Sequence, residues 1–239
     1  MSNKKSRNDI AKSLTNSLFR AIANHSCSEI NSAIAAGASL SAKGKNGHIP
    51  LVFAIVDGFR TGAALMLEHG AALVPANGVS ALMAASLHMP GSHIFKDILQ
   101  RLPLADINRQ DERGRTALMF AAISPSPEGS TEALCQLLER GADPAIADEN
   151  GRNALMFTCS TWGSLEAFHI LLGATKNLQT IDSQGLTALD LTRQGMPIFH
   201  DAIQHEISRR FSFSEQAAMQ DASSLRELSP SRRPQGARL

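Results

Sequence analysis

Cysteine is scarce in this sequence, and the few cysteines form no known motif. Cys27, Cys135 and Cys159 lie far apart, contain no Cys-x-x-Cys pair and are odd in number. This pattern argues against a disulfide framework and against a structural zinc site. We interpret all three as reduced, small apolar residues. Cys135 and Cys159 fall at helix positions, where we predict that they pack in the core and are not catalytic thiols.

Long apolar segments are also missing. No run approaches the roughly 20 apolar residues that a membrane-spanning helix requires, and the first eight residues are polar. No apolar stretch follows the basic residues near the start, so we expect no signal peptide. The cytoplasm is the expected compartment.

Catalytic motifs are absent as well. The sequence has no glycine-rich phosphate loop, no His-Glu-x-x-His and no Gly-x-Ser-x-Gly. Its eight histidines are scattered, and His88 with His93 is the closest plausible pair. We favour a solvated loop over a metal site there. The sequence therefore predicts a protein that is not an enzyme and has no metal, no cofactor and no small-molecule substrate.

The charge is unevenly distributed along the chain. The formal net charge is +1, but residues 1–13 hold four bases against one acid, and residues 208–239 hold six arginines against three acids. Residues 14–207 keep 13 bases and 18 acids, a net charge of −5. We predict a flexible basic segment at 1–13 and a disordered Ser/Arg/Pro-rich tail at 208–239. Nucleic acid or an anionic membrane is a possible but disfavoured ligand of these tails, because no aromatic platform accompanies the arginines.

What the sequence does contain is a repeat. Glycines recur at spacings of 31, 36, 37 and 34 residues, and the stretch from Gly114 to Phe120 returns almost unchanged from Gly151 to Phe157. A fixed period of this size is typical of a solenoid. The marker glycines are Gly47, Gly78, Gly114, Gly151 and Gly185.

Each unit contains the signals for two short helices. An apolar, alanine-rich segment follows a potential N-cap residue near the marker glycine, and Pro50 serves the same start in the second unit. A second segment carries leucines at helical spacing and ends at Gly70 or Gly141, where glycine can take the left-handed conformation. The predicted N-caps are Ser80, Thr116, Asn153 and Thr187.

The combined signature resembles the ankyrin repeat. It consists of Gly-x-Thr-Ala-Leu-x-x-Ala-Ala at 114–122 followed by Leu-Leu-Glu-Arg-Gly-Ala-Asp at 137–143. The resemblance covers residues 14–207 and implies an all-α solenoid of stacked helix-turn-helix units with short β-hairpin-like turns. We expect about six repeats, the first and last acting as caps, at 14–46, 47–77, 78–113, 114–150, 151–184 and 185–207.

Several features depart from the common ankyrin pattern. Ala-Leu-Met replaces Thr-Pro-Leu-His in three repeats, a variant that resembles bacterial and protozoal members. Prolines at 90, 103, 125 and 127 predict longer loops. Methionines and phenylalanines recur at equivalent positions, and we favour a buried inter-repeat core over the alternative of a Met-lined groove for an apolar helix. These residues are Met83, Met119, Met156, Phe53, Phe120 and Phe157.

The resemblance also implies a function and a site. Ankyrin proteins commonly bind proteins through the turn tips and the adjoining inner helices, so we expect a monomeric protein-binding module, either a scaffold or a regulatory binder. A bacterial effector that acts on host proteins, secreted without a cleavable signal peptide, is the alternative. Trp162 lies between the two helices of the fifth repeat, where it contacts either a partner or the neighbouring loop. The other candidate site residues are Arg109, Asp111, Glu112, Arg113, Arg115, Asp148, Glu149, Asn150 and Arg152.

Overall fold

The computed structural model describes residues 2–45, 47–75, 78–160, 164–195 and 199–210. These residues form consecutive helix pairs and contain no β-strand beyond one isolated antiparallel bridge between Ile181 and Thr187. The pairs are α1 (Ser2–Ala23) with α2 (Cys27–Ala35), α3 (Pro50–Val56) with α4 (Arg60–Glu68), α5 (Ala81–His88) with α6 (His93–Arg101), α7 (Ala117–Ala122) with α8 (Pro127–Glu139), α9 (Ala154–Ser160) with α10 (Leu165–Ala174), and α11 (Ala188–Gly195) with α12 (199–210). The predicted all-α solenoid is confirmed.

The first helix of each pair stacks on the first helix of the next. Contacts run in order through α1, α3, α5, α7, α9 and α11, and they form one continuous inner row. Each outer helix from α2 to α10 packs against its own inner partner, and α2 with α4, α4 with α6 and α8 with α10 also touch. Each unit thus buries its apolar face only by contact with its neighbours, as expected of a repeat protein.

The methionine and phenylalanine ladders lie in this stacked core. Met83, Met119 and Met156 are each 1% exposed, and Phe120 and Phe157 are also buried. Phe53, near the start of the row, is half-buried. A buried side chain of this size contributes about 1.5–3 kcal/mol relative to an exposed one. The prediction of an inter-repeat core is therefore confirmed, and a Met-lined groove is excluded.

The predicted helix caps are present in three of four repeats. The Ser80 hydroxyl accepts the Met83 N–H at 3.2 Å, and Asn153 and Thr187 accept the equivalent N–H groups at 3.0 and 3.3 Å. The prediction for Thr116 is wrong, because its side chain makes no cap hydrogen bond. The Thr187 hydroxyl also donates to the carboxylate of Asp190 at 2.6 Å.

The helix ends follow the glycines only in part. Gly70 and Gly141 terminate α4 and α8 with φ of 73° and 89°, in the left-handed region that favours glycine. The predicted loop at 124–129 is shorter than expected, because α8 already begins at Pro127. Proline is compatible with the first helical turn, where its missing N–H would have no partner. Helix α10 ends at Ala174, and the residue that follows, Thr175, is extended and is not a glycine.

Arginines tie the outer helices to the preceding repeats. Arg101 donates to the carbonyl of Leu67 at 2.6 Å, and Arg140 donates to that of Leu99 at 2.6 Å. Arg210 reaches the carbonyls at the end of α10, among them that of Thr175 at 2.6 Å. The last carbonyls of a helix lack intrahelical partners, so these arginines satisfy them from the next repeats.

Two predicted segment boundaries fall inside helices. Helix α1 starts at Ser2 and runs through residue 13, which the sequence predicts as flexible. At the other end α12 continues to residue 210, and the remainder of the predicted disordered tail, 211–239, lies outside the described residues. Within the described helices, none has the length and hydropathy to cross a bilayer.

The cysteine prediction is half correct. Cys159 is 1% exposed, and burial raises the pKa of its thiol to about 12. The prediction that Cys135 packs in the core is wrong, because its side chain is exposed. Leu134 and Leu137 lie on the buried face of α8. Cys135 directly follows Leu134, and its side chain therefore points away from that face.

Candidate functional site

An aspartate inside the turn organises three of the tips between repeats, those at 111–115, 148–152 and 182–186. The carboxylate of Asp111 is 3% exposed and accepts the backbone N–H groups of Arg113 at 3.0 Å and of Arg115 at 2.8 Å. The Arg115 guanidinium adds two hydrogen bonds to one oxygen of the same carboxylate, Oδ2, from Nε at 3.0 Å and from Nη2 at 2.8 Å. Four hydrogen bonds therefore fix this turn from within.

The next tip repeats the arrangement. Asp148 is 2% exposed at its side chain and accepts the backbone N–H groups of Asn150 and Arg152, each at 2.9 Å. Arg152 Nη2 adds a hydrogen bond of 3.0 Å. Asp182 holds the following turn in the same way through two backbone N–H groups, but leucine replaces arginine at residue 186.

Both arginines also cover an aromatic ring of the core. The guanidinium carbon of Arg115 lies 4.6 Å from the ring centre of Phe120, and that of Arg152 lies 4.6 Å from that of Phe157. The arginine side chains are 26% and 32% exposed. A cation over an aromatic face contributes roughly 0.5–2 kcal/mol. The acid, the arginine and the phenylalanine thus form one structural unit in each of these two repeats.

Neighbouring tips are joined by backbone hydrogen bonds. Glu149 donates its N–H to the carbonyl of Arg113 at 2.9 Å, and Ser183 donates to that of Asn150 at 2.8 Å. The close approach leaves no room for a side chain at Gly114, where an added Cβ would lie 3.0 Å from the Glu149 nitrogen. The tips at 111–115, 148–152 and 182–186 therefore form a connected edge.

Two amides that sequence reasoning missed reinforce this edge. Gln110 donates to the carbonyl of Gly114 at 2.6 Å and to that of Ala147 at 3.0 Å. Asn108 donates to the carbonyl of Gly141 at 3.1 Å and accepts the N–H of Asp143 at 2.8 Å. Three of these four contacts span 33–37 residues and therefore leave no local signal in the sequence. A signal that could have identified the aspartates is the recurrent Asp-x-x-Gly spacing at 111, 148 and 182.

The predicted site residues thus separate into two groups. Asp111, Arg115, Asp148 and Arg152 are engaged within the turns. Half-buried Arg109 donates to the carbonyl of Pro75 at 3.1 Å and has Nη1 3.8 Å from the Asp106 carboxylate. Trp162 lies outside the described residues. We use the name turn-tip residues for the predicted residues whose side chains are exposed: Glu112, Arg113, Glu149 and Asn150.

The described residues offer little for catalysis. Among them, no group of three or more His, Cys, Asp and Glu side chains is placed to hold a metal ion. Partial desolvation lowers the pKa of His88, although the residue is exposed at the surface. The Cys159 thiol, with a pKa raised to about 12, stays protonated near neutral pH and is a poor nucleophile.

The central repeats of the chain match a known family of proteins. Residues 87–182 match the family model described as ankyrin repeats, in three copies. The chain is similar to mouse ankyrin repeat domain-containing protein 63, with 34% identity over 93 residues, and the human protein of that name shows the same identity and length of match. The match covers 39% of this chain and 24% of each relative. The chain thus spans about a quarter of the length of these curated relatives.

Proposed function

We propose that this chain, whose residues 87–182 match three ankyrin repeats, is a non-enzymatic adaptor for protein–protein interaction. It binds a protein partner through the turn-tip residues, which present two acids, one base and one amide along a single edge. The observation that carries this proposal is the contrast between buried and exposed side chains within the tips at 111–115 and 148–152. Buried Asp111 and Asp148 fix the backbone, while the side chains between them and the glycines point into solvent.

Rigidity gives this edge an advantage in binding. A partner that meets preformed tips does not have to order their backbone, so less conformational entropy is lost on association. The hydrogen bonds between Arg113 and Glu149 and between Asn150 and Ser183 also fix the spacing of neighbouring tips. Alternating charge on such an edge favours one register of the partner over others.

The test is a comparison of two variants with equal charge changes. The tip variant carries Glu112→Lys, Arg113→Glu, Glu149→Lys and Asn150→Lys. The control variant carries Glu68→Lys, Arg60→Glu, Glu139→Lys and Gln100→Lys, all exposed positions on outer helices. Arg115 and Arg152 stay unchanged in both, because reversing them would break the turns.

Each chain is used for affinity capture from its native cell, with quantitative mass spectrometry as the readout and circular dichroism as the check on folding. We expect the tip variant to lose partners that the natural chain and the control variant both retain. Equal capture by the tip variant and the natural chain would refute the proposal. So would an equal loss from both variants, because it would indicate nonspecific charge effects.

A further inference from the structure

A second surface lies at the first two helix pairs, away from the turn-tip residues. A groove of about 340 Å³ opens between helix α1, residues 44, 45 and 48 of the following loop, and helix α3. Its lining includes Phe19, Arg20, Lys45, His48 and Phe53. Ligand-binding pockets in proteins typically measure about 300–1,000 Å³. We call this surface the basic groove.

Two phenylalanines form the apolar part of the basic groove. The rings of Phe19 and Phe53 meet edge to face, with centres 5.5 Å apart and an interplanar angle of 60°. Both side chains are only half-buried, unlike Phe120 and Phe157 in later repeats. The ring of Phe19 also approaches Gly44, where an added Cβ would lie 2.7 Å from it. An aromatic side chain of a ligand would find edge and face contacts here.

The charge of the groove has one sign. Arg20 and Lys45 are exposed, His48 is half-buried, and no acidic residue contributes to the lining. Lys12 and Lys43 line an adjoining groove of about 430 Å³ that shares Lys45. In the part of the chain that the structure describes, neither Arg20 nor Lys45 forms an ion pair.

This local excess of positive charge contrasts with the rest of the repeats. Residues 14–207 have a net charge of −5, so the basic groove is not a consequence of a generally basic surface. The one acid in α1, Asp9, is exposed but lines neither groove. An oppositely charged partner associates faster with such a patch and is held in one register.

From this arrangement we propose that the basic groove binds an acidic peptide segment of a partner protein. An aromatic side chain of the peptide packs against Phe19 and Phe53, and flanking carboxylates pair with Arg20 and Lys45. Single-stranded nucleic acid fits less well, because its backbone requires a basic track over several nucleotides. The positive charge here is confined to one end of the solenoid. The proposal does not depend on the turn-tip residues.

The test uses fluorescence anisotropy with the full chain and a short labelled peptide in which glutamates flank one phenylalanine. The groove variant carries Arg20→Glu and Lys45→Glu. The control variant carries Arg60→Glu and Lys176→Glu, the same charge change at two exposed positions elsewhere. Two further probes are the peptide with alanine in place of phenylalanine and an oligothymidylate with the same label.

We expect the natural chain and the control variant to bind the glutamate–phenylalanine peptide equally, and the groove variant to bind it about tenfold more weakly. The alanine peptide should bind more weakly than the phenylalanine peptide. No binding by the natural chain, equal weakening in both variants, or tighter binding of oligothymidylate would each overturn the proposal. The tip variant should bind the peptide normally, so failure of one proposed surface is distinguishable from failure of the other.

Discussion

Removing the carboxylate of Asp148 should destabilise the chain although the residue lies in a surface turn. The substitution Asp148→Ala deletes three hydrogen bonds of 2.9, 2.9 and 3.0 Å and leaves Arg152 without its acidic partner. A hydrogen bond to a charged group contributes about 1.5–3 kcal/mol. Because Arg152 is 32% exposed, water replaces part of its lost interaction with the carboxylate. The net loss of unfolding free energy is therefore smaller than the sum of the three hydrogen-bond contributions. We expect a loss of about 3 kcal/mol.

Urea unfolding followed by circular dichroism at the helical band measures this loss. For a chain of this size the melting temperature should fall by about 6–12 °C. Asp148→Asn keeps one oxygen for the backbone N–H groups and should lose about half as much free energy. Asp201→Ala, at an exposed helical position, is the control and should cost less than about 0.5 kcal/mol. If Asp148→Ala costs no more than the control, the aspartate does not hold the turn.

Three further predictions address caps, thiols and acid sensitivity. Ser80→Ala should cost about 1 kcal/mol of unfolding free energy, because it removes a cap, whereas Thr116→Val should cost less than half of that; equal losses would contradict the assignment of caps. A thiol reagent at pH 8 should modify exposed Cys135 rapidly and Cys159 only on unfolding, because burial raises the pKa of Cys159 to about 12; rapid modification of both would show that the core opens. Hydrogen bonds from Arg209 and Arg210 lower the pKa of Glu206 from 4.5 to about 2, so its stabilising effect is complete above the unfolded pKa and is lost as the pH falls from about 4.5 to 2. The stability difference between the natural chain and Glu206→Gln should shrink over that interval, and a constant difference would refute the pairing.

The repeat architecture could be predicted from the sequence because its signals are local and recur. The marker glycines have φ near +75° at Gly47, Gly114 and Gly151, a conformation that favours glycine. The alanine-rich inner helices and the methionine ladder follow from the same period. Agreement between units made the architecture predictable where one unit alone would have been ambiguous.

The roles of the site residues were harder to predict. Arg115 and Arg152 flank the marker glycines like exposed binding residues, yet each pairs with an aspartate four residues earlier and covers a phenylalanine five residues later. The pairing depends on the turn that brings the residues together. Sequence alone therefore could not separate the arginines that build the tips from Arg113, whose side chain is exposed.

Contacts between repeats could not be predicted from the sequence for a related reason. Arg140 reaches the carbonyl of Leu99 across 41 residues, and nothing in the local sequence distinguishes it from a solvated arginine. The basic groove combines residues from α1, from the loop that holds Gly44, Lys45 and His48, and from α3. Its position can be predicted only when the stacking of the repeats is known in addition to the secondary structure.

Site-specific photo-crosslinking tests the central claim most directly. A photoreactive amino acid replaces Glu112 or Glu149 in one pair of chains and Glu68 or Glu139 in another, and each chain is irradiated with its captured partner. We predict crosslinks to the partner from positions 112 and 149 and none from positions 68 and 139. Crosslinks that arise from the outer-helix positions but not from the tips would contradict the account.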